Sequence, residues 1–117
     1  MILDQNHQLY KFHQSVDWDY VASKLNRFSD NSEKNCFIAA LFYLRTMQDC
    51  SSEEAIKQWG ECPYWRYFCG GESAVAMKDF PYSPYLLDIW AREMDEEAVD
   101  VMVNALLRPA LSKTLLH

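Results

Sequence analysis

Apolar side chains recur along this chain at helical rather than strand spacing. Trp18, Val21, Ala22, Leu25 and Phe28 fall at i, i+3 and i+4 and predict a helix over 18–28, with Asp17 placed to cap it. Ser29–Ser32 reads as a turn. The next helix covers 33–48 and is apolar all round in its middle, as expected of a helix at the centre of a bundle. Ser51 and Glu54 form a capping box for a helix carrying Ala55, Ile56 and Trp59, with Gly60 as its stop. Pro63 suits the first turn of a short helix over Tyr64–Cys69, which Gly70 and Gly71 end. Residues 71–82 read as a connecting loop. Ser83-Pro84 opens a helix over 84–94 with the stripe Leu86, Leu87, Trp90 and Met94. Asp95 caps a last helix through 107 (Ala98, Val99, Met102, Val103, Leu106), and Pro109 breaks it before a short tail. No segment alternates with period two, and no repeat or low-complexity tract is present. The pattern predicts an all-α single compact bundle of five or six helices. An extended lead-in occupies 1–14, the helical domain 15–108 and a C-terminal tail 109–117.

Composition narrows what such a bundle does. The chain has 117 residues, half of them apolar and 15% aromatic, which excludes a disordered or collagen-like polymer. One domain of this size buries about two-thirds of its unfolded surface, enough for a core without staples. Eleven Lys and Arg face 17 Asp and Glu, so the net charge is −6. The basic residues are scattered singly, which argues against a dedicated nucleic-acid binder. The longest uninterrupted non-polar run, Cys36–Leu44, is too short to span a bilayer, and no signal-peptide pattern opens the chain. Cysteines 36, 50, 62 and 69 contain no CxxC pair and read as reduced thiols of a cytoplasmic protein.

Candidate chemistry is sparse. His7, His13 and His117 match no metal-ligand spacing, nothing pairs a cysteine with a base, and no glycine loop cradles phosphate. No catalytic residue, cofactor or metal is therefore expected. Glu93, Asp95, Glu96, Glu97 and Asp100 form the densest charge feature. They read either as a solvated helix start opposing the helix dipole or as a contact for a basic partner. The segment from Trp59 to Gly70 holds five aromatics around Arg66. Aromatics beside an arginine can stack on bases, but in an acidic chain they read first as core, with one face of the short helix left for a partner.

Several motifs occur in a telling order: Val16–Tyr20 (VDWDY), Leu41–Leu44 (LFYL), Ser52–Ala55 (SEEA), Pro63–Gly70 (PYWRYFCG), Phe80–Leu87 (FPYSPYLL) and Met94–Ala98 (MDEEA). In that order they resemble the N-terminal domain of insertion sequence 5 family (InsH-like) transposases over roughly residues 9–107. PYWRYFCG is the most specific element. The resemblance implies a helical domain that recognises element ends and helps assemble the transposase. A following RNase H-like domain would carry the catalytic carboxylates, none of which can be carried over to this chain. Two departures remove phosphate contacts: Asp30–Asn35 stands where a basic stretch is usual, and Tyr85–Met94 offers only Arg92.

The resulting expectation is a non-catalytic, stand-alone transposase N-terminal-like domain acting as a DNA-binding or regulatory module of transposition. DNA contacts, weakened by the acidic charge, fall to Lys57, Arg66, Lys78 and Arg92. The alternative is a repurposed acidic module that docks a protein partner, or a second copy of itself, through Tyr64, Trp65, Tyr67, Glu93, Glu96 and Glu97.

Overall fold

The fold is organised around the one long helix. A computed structural model describes residues 3–107; Arg108, the expected break at Pro109 and the tail lie outside them. Helix α3 (Ser32–Gln48) runs through the centre and buries Phe37, Ile38, Ala39, Ala40, Leu41, Tyr43 and Leu44. Asn31 caps its start through its side-chain oxygen, and it ends on Asp49 in the left-handed conformation (φ 50°).

Seven further α-helices pack around it: α1 (Gln8–Ser15), α2 (Trp18–Lys24), α4 (Ser52–Glu61), α5 (Pro63–Gly70), α6 (Glu72–Val75), α7 (Leu86–Glu93) and α8 (Glu96–Met102). A π-helical turn, Val103–Leu107, continues α8. No strand occurs among the described residues, so the all-α expectation holds. The helix number does not: among the described residues eight replace the expected five or six. Both additions fall in stretches read as irregular.

The first addition is α1, in the supposed extended lead-in. His7 caps it, its Nδ1 accepting from the Leu9 N–H at 3.1 Å. Phe12 is buried against the rings of Phe68 (5.1 Å) and Tyr43 (5.4 Å). Eight residues of mostly polar character do not hold a helix alone, so α1 depends on this docking, a contact invisible in local pattern. The second addition is the single turn α6, inside the expected 71–82 loop.

The helix expected over 18–28 ends at Lys24, and 25–28 form a bend and turn where the Asn35 amide donates to the Leu25 carbonyl; other boundaries shift less. Gly60 lies within α4, which continues to Glu61. The helix after Ser83-Pro84 starts at Leu86. Side-chain caps at Asp17, Ser51 and Asp95 occur as read, but the Ser51–Glu54 box forms by half, since the Glu54 carboxylate accepts from the Ser51 hydroxyl instead of its N–H. In the last helix Val99 is exposed, and Val101 and Ala105 complete the buried stripe with Ala98, Met102 and Leu106.

Candidate functional site

The residues expected to meet DNA or a partner centre on α5, and the structure gives each an identifiable place. Pro63 starts the helix at its first position, where its missing N–H costs nothing. Tyr64 is half-buried: its ring stacks on His7 at 3.7 Å and 9°, and its hydroxyl accepts from the Asp4 N–H at 2.9 Å. Trp65 and Tyr67 are buried at 7% and 3% exposure, which corrects the expectation that they form a partner surface. Tyr67 stacks on Tyr10 at 4.5 Å, and its hydroxyl meets the Gln14 amide. The face assumed free is the one α1 covers. Phe68 fills the core among Phe12, Trp18 and Tyr43.

Arg66 is not a free cation. Its Nε donates to the Val75 carbonyl at 2.9 Å, and its Nη1 donates to the carbonyls of Gly60 (2.9 Å) and Trp59 (3.3 Å). It thus satisfies the carbonyl end of α4 and ties α6 to it. Three of its five N–H donors are so engaged, which leaves the pair on Nη2 for any phosphate.

Lys57, Lys78 and Arg92 are exposed, on α4, the α6–α7 connection and α7 respectively. They are not gathered on one element, and each has acid beside it. Lys57 shares a polar groove of about 580 Å³ with Glu54 and Glu61; these carboxylates stand three and four residues away on the same helical face. Lys78 adjoins Asp79 and Arg92 adjoins Glu93.

The acidic helix start divides in two. Asp95 accepts from the Ala98 N–H at 3.0 Å and pairs with Arg27. The hydrogen bond from Arg27, then that from Ala98, hold its carboxyl at about 2. Asp95 in turn raises Arg27, with smaller contributions from Glu97 and Glu93. Glu93, Glu96, Glu97 and Asp100 remain exposed. Asp95 is thus a structural cap, and the remaining acids form an open negative face.

The Asp30–Asn35 stretch also carries structure. Asn35 is 1% exposed; its amide donates to the carbonyls of Leu25 (3.1 Å) and Ser29 (2.8 Å), and its oxygen accepts from the Ser29 hydroxyl. It locks the turn between α2 and α3. Burial pushes the Cys36 thiol up to about 11, aided by Asp19, and Cys69 well above its ordinary value. Among the described residues no three His, Cys, Asp or Glu side chains converge to hold a metal, and no helix is long and apolar enough to cross a membrane.

Sequence reasoning missed one feature, a cleft of about 360 Å³ lined in part by Trp18, Asp19, Glu33 and Tyr82. Asp19 and Glu33 stand in first helical turns, where a carboxylate is ordinary, so only the fold shows that they share a concavity.

Comparison with known proteins gives two positive findings. Residues 1–80 match the model of a transposase domain family (DUF772). The chain is also similar to the ORF8 protein of the nfe locus of Rhizobium meliloti, at 28% identity over 74 residues, or 63% of this chain. It spans only 35% of that relative's length. No solved structure matches.

Proposed function

The chain belongs to the transposase domain family (DUF772), and from that membership we propose that it serves transposition as a non-catalytic regulatory domain that meets a protein partner and grips DNA weakly. The observation that carries this reading is the commitment of Arg66, the cation of the most specific motif, to the carbonyls of Trp59, Gly60 and Val75. A domain built to hold phosphate would keep that guanidinium outward. The open acidic face of Glu93, Glu96 and Glu97 suits a basic protein surface.

Exposed Lys57, Lys78 and Arg92 favour a second reading, a DNA-binding module. A salt series separates the two. Binding to random and element-end duplexes is followed by fluorescence anisotropy between about 50 and 200 mM salt. Regulation through protein predicts weak binding with a log–log slope shallower than about −2; a slope near −4 or steeper would mean several neutralised phosphates and would establish the DNA reading.

A further inference from the structure

The cleft missed by sequence reasoning lies where α2 and α3 face the end of α5, α6 and the α6–α7 connection. Its floor is tightly closed: a Cβ on Gly70 would stand 2.6 Å from that of Ala74 and 3.4 Å from the Phe37 ring. Trp18, Phe37 and Tyr82 contribute aromatic rings to its lining. The Trp18 indole N–H donates to the His13 carbonyl at 2.9 Å, which fixes the ring. Tyr82 is set edge-on to Phe37 at 5.1 Å and 82°.

The charge lining this concavity has one sign. Asp19 and Glu33 are the lining residues that carry charge at neutral pH, and both are exposed at the rim. Among the described residues neither has an ion-pair partner, the one pair being Arg27–Asp95. Their field reaches inward: Asp19 helps to raise the Cys36 thiol, and Glu33 the Tyr82 phenol, behind burial in each case. His13 also lines the cleft, its affinity for a proton lowered by burial against the raising effect of its bond to the Phe68 carbonyl. Lys34 reaches over the Tyr82 ring at 5.7 Å from outside the lining. It offsets part of the charge and shows that this ring already receives a cation.

We propose that this cleft takes up one arginine or lysine side chain presented by a protein partner, the cation lying against Trp18 and Tyr82 with Asp19 and Glu33 as its counter-charges. The chemistry follows from the lining. An aromatic wall attracts a cation through the ring quadrupole, and unpaired carboxylates beside it reward a full positive charge. A partner chain rather than a free organic cation fits the shape. The carboxylates sit at an open rim beside exposed Met77 and Pro81, where the backbone bearing the cation can rest. The choice of a protein as the source rests on the regulatory reading above; the preference for a cation does not.

The experiment follows the Trp18 indole N–H and the Gly71 amide by NMR in the 117-residue protein. Titrants are a blocked glycine–arginine–glycine peptide, its lysine and glutamine counterparts, and ethylguanidinium. Saturable shifts with the arginine and lysine peptides are expected, with the glutamine peptide at least tenfold weaker and ethylguanidinium at least fivefold weaker than the arginine peptide. Combining Asp19→Asn with Glu33→Gln should weaken the arginine peptide at least tenfold while the thermal transition stays in place. If that double variant melts early, each single variant should show at least a threefold loss. Equal shifts with the glutamine peptide, or unchanged affinity in the folded variants, would overturn the site. Ethylguanidinium binding as tightly as the peptide would assign the cleft to a free organic cation and overturn the protein source. The DNA titration is read separately, so failure there leaves these outcomes intact.

Discussion

At the scale of single residues, helix α5 (Pro63–Gly70) is an assembly of packing devices. Gly70 closes α5 where a side chain has no room, with Ala74 2.6 Å and Phe37 3.4 Å from a would-be Cβ. Gly70→Val should therefore lower stability by about 2 kcal/mol or more through overpacking, read as a lower midpoint in urea with an unchanged slope. His13 supplies a second test. Its Nδ1 lies 3.1 Å from the Phe68 carbonyl, a distance suited to a neutral ring donating there. Burial lowers its pKa, against the raising effect of that bond. A group with its folded pKa below the unfolded value contributes stability that is present above about 6.5 and is lost as pH falls through the folded pKa. Urea midpoints should thus drop between pH 7.5 and pH 5, and His13→Asn should drop less over the same interval. An equal pH dependence in wild type and variant would remove His13 from the account.

Among elements, the join between the turn that follows α2 and the α7–α8 pair rests on a small set of contacts. Phe28 stacks on Trp90 at 4.3 Å, and Arg27 pairs with the Asp95 cap. The Asp95 carboxyl, held at about 2, contributes stability above its ordinary pKa of about 3.9, lost as pH falls toward 2. In Arg27→Gln, carboxyl NMR should find Asp95 moved upward, though still short of the ordinary range because the Ala98 N–H remains. Acid-unfolding curves of the two proteins should differ above pH 4 and converge near pH 2. A native Asp95 titrating near 4 would show that the pair does not form in solution. The partners lie 68 residues apart, which marks where sequence reading stopped. Local signals were legible: the caps at Asp17, Ser51 and Asp95 and the all-round apolar α3 depend only on neighbours within a turn or two. What depends on docking was not legible. Helix α1 becomes helical by burying Phe12 on Phe68, and the same docking hides Tyr67, so misreading the lead-in also misplaced the partner surface. Arg66 suggests a phosphate ligand in sequence because nothing in a one-dimensional pattern shows carbonyls converging on it. The cleft was invisible for the same reason, since Asp19 and Glu33 belong to different helices.

For the whole molecule, the weak grip on DNA proposed above has two physical sources to separate, charge and shape. The family match covers residues 1–80, that is, α1 to α6, whereas the acidic face of Glu93, Glu96 and Glu97 lies beyond it. A net charge of −6 repels a phosphate backbone at distances of a Debye length, about 10 Å at 0.1 M salt, and the scattered cations cannot compensate locally. If charge is the barrier, reversing part of it should restore attraction without touching the core. Glu96→Lys with Glu97→Lys replaces two exposed negative charges by positive ones on a single helix start. Each lysine opposes the helix dipole there at a cost of about 0.3–1 kcal/mol, which the cap at Asp95 should tolerate. The double variant should bind random duplex more tightly at low salt, its log–log slope steeper by about one for each new phosphate contact. It should simultaneously lose any basic protein partner that the acidic face holds. A slope unchanged from wild type, in a variant that still folds, would place the barrier in the arrangement of helices. The proposed weakness on DNA would then trace to the fold, in which Arg66 is bonded to the carbonyls of Trp59, Gly60 and Val75.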